Sequence, residues 1–285
     1  MSPRSESPNR TDARPAGETH SARSRRQPWL AIRAPISQGR TLFLGIAIWV
    51  IFFGAWWLAT ALHVTPALLL PSPQKVLATL YHLLASGQFA NDIGISIFRI
   101  VVSFSLACLV AVPLGIFMGT FRSVEACVNA FVSAWRYLPA PSFIPLLLMW
   151  FGTGEISKLA LLFIGVVFFL ITLVMDHTRA VRQELIETAM TLGGNRRQIV
   201  WTVIVPAVLP DVVTAMRQML AVSWTYLVIA EIMAPTTGIG AMMMRAKRFL
   251  ETPEILAGIV VIGILGLLFD FGFRKAHRFL FSYLY

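Results

Sequence analysis

A few charged side chains stand inside the long apolar stretches of this sequence, and they are its first candidates for chemistry. Arg99, Arg136 and Arg217 lie within apolar stretches, and Glu231 closes another. An ionised side chain at the centre of a membrane span costs at least ~2.5–3.5 kcal/mol. Each of these four groups must therefore face protein, water or an interface.

Arg136 comes just before a proline-interrupted segment, LPAP at 138–141. Prolines break a helix, and a broken helix beside a cavity can present backbone groups and a cation to a small anion. We therefore expect Arg136 and Pro139 to line a path for an anionic solute, and Arg217 and Glu231 are further candidates for that path.

Structural roles for the same charges stay open. Arg99 and Arg217 could pair with an acidic side chain or reach the headgroups, and the acidic candidates are Asp92, Asp211 and Glu231. Glu231 could line an external gate or mark the membrane interface. Asp270 and Arg274 stand at i, i+4 on one predicted helix, which favours a local ion pair.

The sequence offers no set of residues for catalysis or metal binding. Its five histidines are far apart and lack the spacing of metal ligands. The nearest approach to a phosphate-binding loop, GTGEISK at 152–158, has serine where the motif needs its second glycine. We therefore expect no catalytic residue, metal or cofactor on this chain.

Composition indicates a membrane protein. Hydrophobic residues make up 56% of the 285 residues and charged residues 13%, which is too few polar groups to cover a soluble globule. The same figures exclude disordered, collagen-like and disulfide-scaffold proteins. The net charge of +10 is concentrated in an arginine-rich start and scattered beside apolar spans, a pattern that favours membrane topology over nucleic-acid binding.

Hydropathy predicts six membrane spans, at 41–62, 93–119, 128–151, 156–176, 208–232 and 255–273. With both ends of the chain inside, sixteen lysines and arginines lie in cytoplasmic segments against five outside, which satisfies the positive-inside rule. The chain is predicted to begin with a disordered basic cytoplasmic tail (1–40) and a first membrane anchor (41–62). An external loop with an amphipathic helix at 74–86 follows (63–92), then the core of spans (93–279) and a cytoplasmic C-terminus (280–285).

The stretch at 179–210 is too polar to span a membrane and too regular for a slack linker. It predicts a helix over 184–192, a turn at Gly193, Gly194 and Asn195, and a second helix over 196–205 that stops at Pro206. Such a rigid projection suits mechanical coupling to another protein. Ala189 and Leu192 would serve for packing, and Glu187 for a charged contact.

This stretch resembles the EAA loop of the permease subunits of ATP-binding-cassette (ABC) importers. The family pattern is Glu-Ala-Ala, three residues, Gly, nine residues, then Ile-x-Leu-Pro. Here the matching residues are Glu187, Thr188, Ala189, Gly193, Val203, Val205 and Pro206, with both spacings intact and three conservative departures at 188, 203 and 205. The resemblance extends over about 66–280 and includes the runs at 70–73, 96–100, 113–119 and 136–155. These runs are similar to those of the permease subgroup that imports nitrate, sulfonates such as taurine, and bicarbonate.

The resemblance implies an all-α membrane protein with the fold of a type I ABC importer transmembrane domain. It implies a bacterial inner-membrane permease that carries a small, anionic solute and is driven through the EAA loop, with Glu187, Thr188, Ala189, Leu192, Gly193 and Pro206 as the coupling residues. The implied partners are a cytoplasmic ATPase dimer holding ATP and Mg²⁺, a second, identical permease chain, an external solute-binding protein and membrane lipid, with no nucleic acid.

Two other classes of function remain as alternatives. A secondary transporter or channel that works without an ATPase would be expected to show inverted repeats and paired intramembrane acids. A membrane-embedded enzyme would need a clustered nucleophile, acid–base pair or metal set. We see none of these in the sequence.

Overall fold

A computed structural model describes residues 37–284, and over this range all the regular elements are helical. Most of the predicted basic tail lies outside the described residues. The helices are α1 (Gln38–Ala61), α2 (Pro73–Ala85), α3 (Gln88–Thr120), α4 (Arg122–Arg136), α5 (Ile144–Phe151), α6 (Glu155–Arg179), α7 (Gln183–Thr191), α8 (Arg196–Ile199), α9 (Val205–Met233), α10 (Ile239–Arg248) and α11 (Thr252–Leu280).

Five helical stretches within the described range are long and apolar enough to cross a membrane. They are Gln38–Ala61, Phe89–Thr120, Glu155–Arg179, Arg196–Met233 and Thr252–Leu280. Each agrees with a predicted span to within a few residues, except that the fourth begins earlier, at Arg196, and the fifth ends later, at Leu280.

The remaining predicted span, 128–151, is not one continuous helix. α4 ends at Arg136, a short 3₁₀ turn covers Ala140–Phe143, and α5 follows. Pro139 and Pro141 explain the break, because proline lacks a backbone N–H and disfavours helical geometry in the residue before it. The region therefore supplies two short helices with an irregular joint between them.

The chain divides into two units. The first, Met1–Ile51, contributes the start of α1 to the described residues; the second, Phe52–Tyr285, holds the other helices. No residue of α1 is buried, and its exposed apolar side chains suit contact with lipid.

Three long helices form the centre of the second unit. α3 packs along α6, and α6 packs along α9, around a buried apolar cluster that includes Ile100, Leu170 and Leu227. The α3–α6 contact is close because of two glycines: a Cβ at Gly115 would stand 2.8 Å from the carbonyl oxygen of Ile171, and one at Gly119 would be similarly crowded. Small residues at such crossings let two helix backbones approach closely in a membrane.

The amphipathic helix predicted at 74–86 is present as α2. Ser72 caps its first turn by accepting a hydrogen bond from the Lys75 amide, and Pro73 occupies the first turn, where a missing N–H does no harm. α2 packs on α3 and α11, and its Leu80 and Leu83 join a small apolar cluster with Phe89.

Candidate functional site

The predicted EAA segment folds as a helix, a glycine turn and a second helix. α7 ends in a Schellman motif: the Gly194 amide donates to the Ala189 carbonyl and the Gly193 amide to the Met190 carbonyl, each at 3.0 Å. Gly193 has a φ of 81°, in the left-handed region that favours glycine. At Gly194 a Cβ would stand 2.8 Å from the Ala189 carbonyl oxygen, so both glycines are needed.

The second helix starts with a reciprocal cap. The Gln198 amide donates to the Asn195 side chain, and the Asn195 amide donates to the Gln198 side chain, both at 3.0 Å. This capping box satisfies two backbone donors at the start of α8 and fixes the angle of the turn.

The sequence predicted that the second helix stops at Pro206, and this prediction is wrong. The helix passes through a π-helical segment, Val200–Ile204, and continues directly as α9. The Val205 amide donates to the Val200 carbonyl, five residues back. This wider turn lets the helix continue past Pro206, whose missing N–H would otherwise leave a gap in the regular pattern. The EAA segment is therefore joined to a membrane-spanning helix without a break.

The residues of α7 differ in what they contact. Ala189 is half-buried and packs, with Ile186, on a small cluster made by Ile199, Val200 and Ile204. Ala189 therefore contacts its own chain. Leu192 is 83% exposed, and Glu187 and Thr188 are exposed too, so these three are free to contact another protein.

A buried ionic cluster lies at the opposite end of the long helices. Its centre is Arg99 on α3, which has no exposed surface. The Arg99 Nε and Nη2 donate to the two oxygens of Glu155 at 2.7 and 2.6 Å, and its Nη1 donates to Glu231 at 2.7 Å. Its two remaining donors bond the carbonyl and hydroxyl oxygens of Thr237, both at 2.8 Å. All five guanidinium donors are thus satisfied.

Glu231, at the end of α9, is equally saturated. Besides Arg99, it accepts hydrogen bonds from the Ser96 hydroxyl at 2.7 Å and from the Gly240 amide at 2.8 Å. Gly238, with a φ of 107°, has no room for a Cβ between Glu231 and Arg99. The carboxylate therefore fixes the loop between α9 and α10 against α3.

Two more ion pairs extend this cluster. Asp92 accepts from the Gly238 amide at 2.7 Å and from Arg245 at 2.6 Å. Lys158 is buried, donates to the Thr236 hydroxyl at 2.6 Å and lies 3.8 Å from Glu155. The cluster thus contains three cations and three carboxylates, and this balance is what allows so many charges to be buried.

The predicted pathway residues lie in three different environments. Glu231 belongs to the buried cluster, so its pairing with Arg99 is confirmed. Arg217 pairs with Asp270 on α11 at 3.1 Å and not with any of the acids proposed from the sequence. Asp270 also pairs with Arg274 at 3.0 Å, as its spacing predicted.

Arg136 is half-buried in the last turn of α4. Its guanidinium lies 5.4 Å from the centre of the Tyr137 ring, and no ion pair with it occurs within residues 37–284. Pro139 is exposed and caps the 3₁₀ turn of the broken segment. The two residues therefore lie at an irregular joint between helices, and the cation there has no ion-pair partner within the described residues. A cation presented at a break in a helix is what the sequence predicted.

Sequence reasoning missed several members of the buried cluster. Glu155, Lys158 and Thr237 were not among the candidates from the sequence. A signal existed on α3, where the polar residues Asp92, Ser96, Arg99 and Ser103 recur at helical spacing in an otherwise apolar helix. Such a stripe must face protein rather than lipid.

Comparison with known proteins decides the family. Residues 111–280 match the family described as the binding-protein-dependent transport system inner membrane component. The chain belongs to this family. It is 34% identical to the taurine transport system permease protein TauC of Escherichia coli over 90% of this chain and 93% of that protein. It is 30% identical to the putative aliphatic sulfonates transport permease protein SsuC of Bacillus subtilis, over 82% of this chain and 85% of that protein.

More distant relatives agree with this assignment. The chain is 28% identical to the nitrate import permease protein NrtB of a Synechocystis strain, over 70% of this chain and 76% of that protein. Among solved structures, a chain of the inward-facing MetNI methionine ABC transporter is similar in fold. Its TM-score is 0.58 at 20% identity, over 68% of this permease and 96% of that chain. The permease is therefore a multi-pass membrane subunit of an ABC importer with a type I fold.

Proposed function

We propose that this permease carries a small anionic solute inward across a bacterial cytoplasmic membrane and is driven by a separate ATPase through the EAA segment. The observation that carries the proposal is the α7 geometry: a rigidly capped projection joined without a break to the membrane-spanning α9. Force applied at α7 would reach the membrane through this helix.

The exposed part of α7 supports a docking role. Leu192 and Met190 expose apolar surface beside Glu187, away from the half-buried Ala189. An exposed leucine on a polar projection is typical of a surface that packs against another protein. In this proposal Glu187, Thr188, Leu192 and Gly193 face a cytoplasmic ATPase dimer, which binds ATP and Mg²⁺.

The solute path is proposed to run along α9. Asp211, Gln218, Ala221 and Thr225 are exposed and recur at heptad-like spacing on one face of this spanning helix. Polar and ionisable groups on a membrane helix face a water-filled cavity or another protein rather than lipid. This face would line the path together with Arg136 and Pro139, opposite a second, identical permease chain.

The names of the relatives support the proposed direction of transport and solute class. The relatives are named for taurine, aliphatic sulfonates and nitrate, which are all small oxyanion-bearing solutes. An external solute-binding protein would deliver the solute at the end of the helices that holds the buried ionic cluster. Both chain ends would then lie in the cytoplasm.

Co-purification tests the docking surface. Leu192→Glu should leave the permease in the membrane but abolish recovery of its ATPase partner. The control is Leu69→Glu, a similar change at a leucine that is also exposed, 65%, but in the loop before α2. Equal recovery of the ATPase with both variants would contradict the proposed docking surface.

A further inference from the structure

One face of α4 carries a row of polar and charged side chains. With 3.6 residues to a turn, five of them share about a quarter of the helix circumference. This polar row consists of Arg122, Glu125, Asn129, Ser133 and Arg136. The neighbouring face is apolar, and its Val124, Val128 and Val132 pack on the main apolar cluster. The apolar face therefore holds α4 in place, while the polar row is half-buried except at Arg122, which is exposed.

The polar row lies at membrane depth. Glu125 pairs with Arg179 at the end of α6, beside the EAA segment, whereas α5 leads to Glu155 in the buried ionic cluster at the opposite end. The stretch from α4 to α5 therefore runs back across the membrane. A rise of 1.5 Å per residue places Asn129 and Ser133 roughly 10–17 Å from the first residue of α4. Polar side chains at that depth face water or protein rather than lipid.

The side chains of Asn129 and Ser133 have hydrogen-bonding capacity to spare. The Ser133 hydroxyl donates to the Asn129 Oδ1 at 3.2 Å, and this is the only hydrogen bond of either side chain within residues 37–284. The bond orients the Asn129 amide and leaves its Nδ2 as an unused donor. Neutral donors bind anions more weakly than charged ones do, which suits a position that a solute must also leave.

The two ends of the polar row are positive. Arg136 and Arg122 form no ion pair with any other residue of the described chain, and Glu125 is balanced by Arg179. The row and Arg179 together therefore carry two excess positive charges. A water-filled cleft lined by charge of one sign concentrates ions of the opposite sign, in this case anions.

A polar cavity of about 400 Å³ adjoins the start of the row. Its polar lining includes Arg122, Glu125, Arg179 and Gln183. Gln183 and a further lining residue, Ile186, belong to α7. The polar row is thus continuous with a space beside the EAA segment.

We propose that the polar row of α4 forms the part of the solute path nearest the EAA segment, with Asn129 and Ser133 as solute-binding residues between Arg136 and the cavity beside α7. This inference rests on the proposed function and adds two residues to it. An anion that leaves Arg136 meets the Ser133 hydroxyl one turn away and the Asn129 amide one turn further on. Successive weak donors along one helix face let an anion advance without being trapped at one of them.

Cysteine labelling tests the face without knowledge of the solute. The natural Cys108 and Cys127 are first replaced by alanine, and Asn129→Cys and Ser133→Cys are made singly in the permease–ATPase complex in phosphatidylcholine nanodiscs. The probes are an anionic reagent, 2-sulfonatoethyl methanethiosulfonate, and a cationic one, 2-(trimethylammonio)ethyl methanethiosulfonate. Both should react at both positions, the anionic one severalfold faster after correction for its rate with free cysteine. Adding Arg136→Gln should remove most of that preference.

Two control positions show whether labelling follows the polar row. Val132→Cys lies on the apolar face of α4 and is 2% exposed, and Ile264→Cys lies on the 48% exposed apolar surface of α11. Both should react far more slowly than the two test positions. No reaction at 129 and 133 would mean that lipid or a second permease chain covers this face, and would overturn the proposal. Equal rates at all four positions, or an anion preference that survives Arg136→Gln, would overturn it too.

Transport separates a solute contact from a merely wet surface. The assay is uptake of whichever of radiolabelled taurine, ethanesulfonate and nitrate the wild type carries. Asn129→Asp keeps the shape of the side chain but adds a negative charge, and should slow uptake severalfold. Ser123→Asp adds the same charge at an exposed position in the first turn of α4, outside the polar row, where a negative charge is favourable, and should transport normally.

The two experiments also distinguish this inference from the function on which it rests. Equal uptake by Asn129→Asp and Ser123→Asp would overturn the role of Asn129 while the proposed function stands. Absence of wild-type uptake for all three anions would remove the proposed function, and with it this inference, whatever the labelling shows.

Discussion

The guanidinium Nη1 of Arg99 lies 2.7 Å from Glu231 Oε1, and neither side chain has any exposed surface. The pair joins α3 to the end of α9, while the second carboxylate on Arg99, that of Glu155, is half-exposed. Three helices and the loop before α10 are thus fixed through one guanidinium. The cluster is suited to holding this end of the permease rigid, and the proposed coupling through α7 would act at the other end.

Removing one charge of this pair should be costly. Glu231→Gln keeps the shape of the side chain but removes one of the three carboxylates that balance three cations in the buried cluster, and we expect a loss of ~3–5 kcal/mol. Thermal unfolding of the purified permease in detergent measures the change. Arg182→Gln, which breaks the exposed pair with Glu184, is the control and should cost no more than ~1 kcal/mol. Similar melting of the two variants would contradict a structural role for Glu231.

The close contact of α3 with α6 gives a second stability prediction. Gly115→Ala places a methyl group 2.7 Å from the Val174 Cβ, and overpacking of this kind costs about 1–3 kcal/mol. Gly94→Ala is the matched control on the same helix, since nothing lies within 4 Å of its Cβ position. Alanine is the better helix former there, so that change should be neutral or stabilising by up to ~1 kcal/mol. Thermal unfolding that ranks the two variants the other way would contradict the close packing.

Much of this architecture could be predicted from the sequence. The apolar stretches predicted the spanning helices. The glycine pair at 193–194 predicted the turn after α7, because only a few residues tolerate a left-handed φ. The prolines also marked the joint after Arg136. These features depend on local sequence, where periodicity and backbone geometry carry the information.

Contacts between distant segments could not be predicted in the same way. Arg217 pairs with Asp270, 53 positions along the chain, because α9 lies beside α11, and no spacing rule reveals which helices are neighbours. Lys158 stands at the start of the predicted span 156–176, and its partner Thr236 comes from the distant loop after α9. The passage of the helix through Pro206 required a π segment, which depends on local hydrogen-bond geometry.

The turn after α7 predicts a graded loss of coupling. Gly193→Ala forces a Cβ into a left-handed conformation, at a cost of about 1–2 kcal/mol, and should reduce ATP-driven uptake severalfold at normal membrane levels. Gly193→Asn should lose less, because asparagine adopts this conformation more readily. Gly154→Ala, at a φ of −76° with open space around it, should transport normally. Equal uptake by all three variants would contradict a coupling role for the turn.

The uncompensated cation at the joint after α4 predicts an effect on transport without one on folding. Arg136→Ala removes a donor that we place on the solute path, and one charge-assisted hydrogen bond is worth about 1.5–3 kcal/mol. Initial uptake of the solute should therefore fall about tenfold or more. Arg248→Ala, an exposed position at the end of α10, serves as the control. Unchanged uptake by Arg136→Ala would remove this residue from the path.

ATP-driven uptake in proteoliposomes tests coupling most directly, with permease, ATPase and binding protein reconstituted together and Leu192→Glu compared with wild type. We expect wild-type uptake that needs both ATP and the ATPase, and none from the variant, although it inserts normally. Uptake that continues without the ATPase, or at the wild-type rate in Leu192→Glu, would contradict a permease driven through α7.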